Sequence, residues 1–110
     1  MSGAFHTQLM QPAIQVFEDA FEGITISRPR IPVYSNYQNR IYQGTKDVQK
    51  ILIKQMLNSV KWESTINHMA KYKTDEHWPR FIECGPGTSL SAMMKQINGK
   101  IAKRTLSVPA

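Results

Sequence analysis

The sequence has little cysteine and no long apolar run, and both shortages narrow the possible classes of protein. Cys84 is the only cysteine among 110 residues, so an internal disulfide is excluded and a reducing compartment is favoured. No stretch is long and apolar enough to cross a bilayer, and no signal peptide is visible. We therefore predict no membrane partner. We expect Cys84, in a predicted strand, to be a buried apolar residue rather than a nucleophile.

Metal-ligand spacing, internal repeats and low-complexity tracts are also missing. His6, His68, His77 and Cys84 are far apart and do not form the short spacings that zinc sites use. We therefore predict no metal site. A chain of this length without a linker suits one small domain or part of a larger one.

The charges show no run of one sign. Lysine and arginine total 14 against 8 acidic residues, a net charge of +6, spread from Arg28 to Arg104. Such a surplus suits nucleic acid, anionic lipid, or an acidic partner such as a phosphorylated cofactor or an acidic carrier protein. Because aromatic and basic residues are not interleaved, a solvated surface is favoured over a nucleic-acid footprint. A small, non-enzymatic basic binding module remains an alternative. It requires a contiguous basic face and steep salt dependence.

What the sequence does contain is an alternation of helix and strand patterns. Hydrophobic residues make up 41%, enough for a packed core. An alternation of strands and helices along the chain is typical of an α/β fold with parallel strands and crossover helices. Too few strands are present for a complete sheet, so we predict that residues 1–110 are the end of a larger α/β domain. Helices are predicted at 11–22, 45–57, 60–72 and 88–97, the last ended by Gly99, and strands at 31–36, 80–84 and 101–108.

His6 is the first candidate functional residue. It lies close to Phe5, Leu9 and Met10, and Pro12 suits the first turn of the helix that follows. Large apolar neighbours indicate a packed loop ahead of that helix, although a lone histidine near a chain end is by default a surface residue. Loops held on a rigid scaffold often carry catalytic groups, so His6 is a candidate catalytic residue.

Gln55 is the second candidate. It follows Ile51 and Leu52 at helical spacing, on the apolar side of its helix. Periodicity leaves two interpretations open. Gln55 is either a buried amide, which needs partners because an unpaired one costs on the order of 1–3 kcal/mol, or a partly exposed residue at the edge of the apolar stripe.

The segment Gly85-Pro86-Gly87 joins a predicted strand to a predicted helix. Such a junction can hold a phosphate at the helix N-terminus. However, Pro86 lacks an N–H, and neither the dinucleotide fingerprint nor the Walker pattern occurs. A tight turn that uses glycine conformations is therefore the favoured interpretation.

Four segments in this order resemble one enzyme family. The chain is similar to the C-terminal part of malonyl-CoA:acyl carrier protein transacylases, and to the mitochondrial version of animals more than to a bacterial one. The matching segments are GAFHTQLMQPA at 3–13, IPVYSN at 31–36, IKQMLNSVKWE at 53–63 and FIECGPGTSL at 81–90.

The resemblance implies a fold and a two-step reaction. The fold is the large subdomain of an α/β-hydrolase-like acyltransferase. The family moves a malonyl group from malonyl-CoA to a serine, then to the phosphopantetheine thiol of acyl carrier protein in type II fatty acid synthesis, without a cofactor of its own. By resemblance, His6 is the general base, and the backbone carbonyl of Gln55 orients its imidazole. The resemblance also implies a mitochondrial location.

The family's serine nucleophile is not found in this sequence. It sits in a Gly-His-Ser-x-Gly elbow, and no G-x-S-x-G occurs here. The arginine that pairs with the malonyl carboxylate and the ferredoxin-like subdomain are also missing, so the chain alone is expected to be inactive. Ser59 replaces a usual proline, and Cys84 a small apolar residue. The rival within the family is an acyltransferase segment of a polyketide or multidomain fatty acid synthase.

Phe5 is a candidate substrate-binding residue by the same resemblance. In the related modular acyltransferases, a phenylalanine just before the histidine goes with malonyl, and a smaller residue goes with methylmalonyl. A ring in that place fills the volume that a branch on the acyl α-carbon requires. The alternative is that Phe5 is a core residue that does not contact the substrate.

Overall fold

The computed structural model describes residues 3–109, in two compact units, Met1–Trp62 and Glu63–Ala110. Met1, Ser2 and Ala110 of the predicted 1–110 segment lie outside the described residues. Each unit has its own helices. None of the helices found in residues 3–109 is long and apolar enough to cross a membrane.

The first unit is built on two helices that follow a short 3-10 helix. The 3-10 helix, Gln8–Ala13, contains Pro12 and leads directly into α1, Ile14–Glu22. Helix α2 spans Thr45–Gln55 and packs against α1. The predicted first helix is therefore confirmed in position, with its first turn wound as a 3-10 helix. The buried apolar side chains are Ile14, Phe21 and Ile51.

The strand predicted at 31–36 was wrong. Tyr34 forms only an isolated antiparallel bridge with Ile41. The flanking bonds run from Ser35 N to Arg40 O at 2.8 Å and from Tyr42 N to Val33 O at 3.0 Å. Prolines 29 and 32 cannot donate to a ladder, and residues 3–109 offer no neighbouring strand for this segment, so the pairing stops there.

The second unit contains the sheet. Helix α3, which begins in the first unit, spans Trp62–Met69 and is followed by a 3-10 helix at Ala70–Tyr72. The two strands are parallel, with Phe81 opposite Thr105 and Cys84 opposite Val108. An α/β fold with parallel strands and crossover helices is thus confirmed. The remaining elements are β1 at Phe81–Cys84, α4 at Ser89–Ile97, α5 at Gly99–Ala102 and β2 at Thr105–Val108.

Glycines behave differently at the two ends of α4. Gly85 and Gly87 have φ angles of 137° and 81°, so the predicted tight turn is confirmed. Helix α4 ends at Ile97 as predicted, with Asn98 as its C-cap, but Gly99 is the first residue of α5, so the strand predicted at 101–108 was wrong over 101–104. Asn98 caps α5: its side-chain oxygen accepts from Lys100 N at 2.9 Å.

The expected burial of Cys84 was also wrong. Cys84 is exposed, and so are Ile82 and Leu106, paired opposite each other and each 57% accessible. These three residues form an apolar face on one side of the two-stranded sheet. No element among the described residues of this unit, 63–109, covers that face. The apolar side chains on it are therefore exposed, although strand alternation predicted that one face would be buried.

Candidate active site

His6 occupies a strained position in a fixed turn. Its φ is 62°, in the left-handed region that non-glycine residues seldom adopt. Such a conformation costs about 1–3 kcal/mol and is kept where surrounding contacts impose it. Thr7 provides contacts of that kind: its hydroxyl donates to Ala4 O at 2.6 Å and accepts from Leu9 N at 3.3 Å, which caps the 3-10 helix. The backbone therefore aims the imidazole in a defined direction.

The imidazole points at the end of α2. His6 Nδ1 lies 2.8 Å from the backbone oxygen of Gln55, the last residue of that helix. A carbonyl oxygen can only accept, so Nδ1 carries the proton of this bond and Nε2 keeps a free lone pair. The partial negative charge at a helix C-terminus also suits the cation that a histidine becomes when it takes up a proton. The arrangement can therefore serve a general base.

The two carbonyls before Gln55 in α2 have other donors, and Ile53 O accepts from Met56 N at 3.2 Å. Lys54 O accepts from Leu57 N at 3.1 Å and from the side-chain amide of Asn58 at 2.7 Å. Gln8 donates its side-chain N–H to Leu57 O at 3.4 Å. Besides the histidine, Gln55 O receives a long contact of 3.4 Å from Asn58 N. Because the last carbonyls of a helix need outside partners, the His6 bond completes the C-terminal capping of α2.

The side chain of Gln55 fits the interpretation of a partly exposed residue rather than that of a buried amide. It is half-buried and lines a groove of about 340 Å³ together with Leu52, Val33 and the polar side chains of Asn36 and Tyr42. The contact to His6 is made by the backbone, not by the amide. The periodicity of α2 therefore located the residue but not the atom that matters.

Phe5 directly precedes the histidine in the chain. Its side chain is 47% exposed. Its ring packs over Gly3, where an added Cβ would come within 2.8 Å of the ring edge. Gly3, two residues before Phe5, therefore leaves room for the ring, and both interpretations of Phe5 stay open. Its proposed contact with substrate stays a prediction.

An ion pair that sequence reasoning missed fixes the loop before α2. Arg40 binds both carboxylate oxygens of Asp47, at 2.8 and 2.9 Å, and Gln43 N donates to the same carboxylate at 2.7 Å. The Arg40 hydrogen bonds, followed by that of Gln43, hold the pKa of Asp47 at about 2. Asp47 lies in the first turn of α2, where an acid suits the helix dipole, and that position was an available signal.

Glu83 occupies the N-terminus of α4 in the second unit. Its carboxylate accepts from Leu90 N and Ser91 N, both at 2.9 Å, from Ser91 Oγ at 2.6 Å and from Ser107 Oγ at 3.0 Å. The Ser91 hydroxyl bond is the largest cause that lowers the pKa of Glu83 to about 2. The amides that a phosphate would use are thus already bound by a side chain. This favours the interpretation of Gly85–Gly87 as a structural turn over that of a phosphate site.

The chain was compared with known proteins. No family model matches it. It is 39% identical over its whole length to "Probable malonyl-CoA-acyl carrier protein transacylase, mitochondrial" of Drosophila melanogaster. It is 37% identical, over 89% of its length, to the mitochondrial malonyl-CoA-acyl carrier protein transacylase of Homo sapiens. The chain is homologous to malonyl-CoA-acyl carrier protein transacylases. It spans 29% of the fly protein and 25% of the human one.

Solved structures agree with this family. The MCAT of Streptococcus pneumoniae matches with a TM-score of 0.83 and 29% identity, over 97% of this chain and 33% of that one. A second match, with a TM-score of 0.79 and 25% identity, is PlMCAT:AntF, a type II PKS acyl-carrier protein in complex with its malonyl-transacylase. It covers 100% of this chain and 33% of the other. The predicted kinship and the partial α/β acyltransferase fold are therefore confirmed.

Proposed function

We propose that this chain is the base-bearing segment of an acyl carrier protein S-malonyltransferase in type II fatty acid synthesis. The observation that carries the proposal is the 2.8 Å bond from His6 Nδ1 to Gln55 O, made from a left-handed turn. It leaves Nε2 free to accept a proton. In this proposal His6 is the catalytic base, Gln55 is the positioning residue, and residues 1–110 are a segment of the acyltransferase domain that lacks the nucleophile elbow and the ferredoxin-like subdomain.

In the proposed reaction the histidine moves one proton in each of two acyl transfers. Nε2 takes the proton of a serine hydroxyl while the serine oxygen attacks the malonyl thioester, and the coenzyme A thiol leaves with that proton. In the second transfer Nε2 takes the proton of the phosphopantetheine thiol of acyl carrier protein while its sulfur attacks the serine ester, and the serine oxygen leaves with that proton. All atoms balance without a cofactor. The serine belongs to a G-x-S-x-G that this sequence does not contain.

A mitochondrial location is part of the same proposal. It rests on the mitochondrial names of the fly, human and mouse relatives. A second candidate is malonyl loading in polyketide synthesis, favoured by the structural match to a type II PKS carrier protein complex. Both candidates use the same chemistry at His6 and differ in the carrier protein that accepts the malonyl group.

The proposal can be tested with a chimera in which these 110 residues replace the matching segment of the Drosophila relative. If the chain carries a functional base, the chimera should transfer malonyl from malonyl-CoA to holo-acyl carrier protein and also to free pantetheine. The unaltered Drosophila protein is the positive control. A folded chimera that is inert towards both thiols, beside an active control, would refute the proposed function. A strong preference for a polyketide carrier protein would favour the second candidate.

Replacing Phe5 by serine in this chimera should raise the relative use of methylmalonyl-CoA. The exposed ring stands next to His6, where it would fill the space needed by a branch on the acyl α-carbon. One methyl group is worth about 1–3 kcal/mol of discrimination in an apolar pocket, so the ratio of the two kcat/KM values should change by about 10- to 200-fold. Leu9→Ser, at a residue that is 76% exposed, is the matched control. An unchanged ratio in Phe5→Ser would show that Phe5 does not select the acyl group.

A further inference from the structure

Three exposed lysines form a stripe along α2. Lys46, Lys50 and Lys54 are spaced four residues apart, which places them on one face of the helix. With a rise of about 1.5 Å per residue, the stripe is about 12 Å long. None of the three forms an ion pair with a carboxylate in residues 3–109. This lysine stripe is therefore free to meet charges on another molecule.

The lysine stripe borders an apolar groove beside α1. The groove has a volume of about 430 Å³ and also contains Ile14, Ile53 and Leu57. Glu18 and Gln49 are its other polar residues, so three positive charges face one negative charge. A surface that combines an apolar groove with a row of cations suits an amphipathic, acidic partner.

The stripe ends beside the candidate active site. Lys54 directly precedes Gln55, whose carbonyl binds His6. Leu57, at the same end of the groove, accepts from the side chain of Gln8, two residues after the histidine. A partner that lies along α2 would therefore reach the neighbourhood of the reacting proton.

We propose that the lysine stripe and its groove dock the acidic carrier protein that accepts the malonyl group, an inference that rests on the proposed function. Carboxylates four residues apart on a partner helix repeat with the same spacing of about 6 Å as the lysines, and an apolar side chain between them fills the groove. A free phosphate would leave that groove unfilled. Nucleic acid would need stacking side chains, and none of the described residues that line the groove is aromatic.

The test measures binding of the 110-residue chain to the mitochondrial holo-acyl carrier protein of Drosophila melanogaster by fluorescence anisotropy at two salt concentrations. The triple variant Lys46→Glu, Lys50→Glu, Lys54→Glu should bind about 10- to 100-fold more weakly, because three attractive pairs become repulsive. Binding by the wild type should weaken as salt rises. Equal affinity of wild type and variant would overturn the proposal.

A matched control keeps the same change in net charge. Arg28→Glu, Lys71→Glu, Lys103→Glu alters three exposed residues that do not line the groove and should leave the affinity unchanged. If the glutamate variant of the stripe does not fold, the neutral variant Lys46→Gln, Lys50→Gln, Lys54→Gln takes its place and should still weaken binding. Equal losses in the control and stripe variants would reveal a general charge effect and overturn a specific docking surface.

Two further experiments distinguish a failure of the proposed docking surface from a failure of the proposed function. Binding of the stripe to anionic phosphatidylserine vesicles or to single-stranded DNA, with no binding to the carrier protein, would overturn the proposal in favour of those partners. In the chimera, transfer to free pantetheine needs no docking surface. A chimera inactive with pantetheine refutes the proposed function, whereas an active chimera whose stripe variant serves the carrier protein as well as the wild type refutes the docking surface alone.

Discussion

Replacing His6 by alanine in the Drosophila chimera should lower kcat for malonyl transfer by about 10³- to 10⁶-fold, with little change in KM for malonyl-CoA. The imidazole is held by Gln55 O at 2.8 Å so that Nε2 faces away with its lone pair free. A general base and its nucleophile depend on each other, so removing the base alone lowers kcat almost as much as removing both. The measurement is steady-state transfer to pantetheine, which does not depend on the carrier protein.

Two control variants show whether a loss of activity in His6→Ala is specific to the imidazole of His6. Gln55→Ala keeps the backbone carbonyl that binds His6, so its rate should fall by less than about tenfold. His77→Ala removes an exposed histidine in a turn of the second unit and should be silent. A near-normal rate in His6→Ala would remove the histidine from the mechanism. A loss in Gln55→Ala as large as that in His6→Ala would show that the glutamine side chain, and not its carbonyl, does the positioning.

The segment from β1 to α4 could be predicted from sequence because its signals are local. Gly85 and Gly87 adopt positive φ angles that other residues avoid, so a turn was expected at that point. The alternation before it and the helical spacing after it then fixed the two elements. The capping by Glu83 was missed, since a carboxylate seven residues before Leu90 has no established spacing rule.

The errors came from features that depend on distant parts of a protein. Cys84 and Ile82 lie on one face of the strand, as in a half-buried strand, yet both are exposed because no residue from 63 to 109 packs on that face. The strand expected at 31–36 fails for a related reason. The residue pattern of 31–36 indicates that this segment could form a strand. A strand also needs a neighbouring strand to pair with, and residues 3–109 do not supply one to this segment.

The site itself was predicted only with the help of the resemblance. His6 and Gln55 are 49 residues apart, and neither periodicity nor spacing can indicate that a ring nitrogen meets a backbone carbonyl across that distance. The left-handed backbone of His6 has no sequence signature either, although histidine tolerates it better than most residues. Sequence patterns thus located the two residues, and the structure shows the atoms that join them.

The chain by itself should give no malonyl transfer above background, to carrier protein or to pantetheine. A base without a nucleophile cannot form the acyl-serine on which the two-step exchange depends, and the sequence contains no G-x-S-x-G. Release of the coenzyme A thiol from malonyl-CoA measures this directly, and the chimera under identical conditions is the positive control. Ser89, in Gly87-Thr88-Ser89, is the nearest approach to the motif, but it starts α4 instead of standing at the top of a strand.

The outcome separates two origins of activity. If the 110-residue chain turns over malonyl-CoA, the Ser89→Ala variant of that chain should be measured next. Loss of turnover in this variant would identify the serine at the start of α4 as the nucleophile. If the chain is inert and the chimera is active, the base in this segment needs a serine supplied by the rest of the enzyme. That second result is expected, because Ser89 begins α4 and does not lie in a G-x-S-x-G.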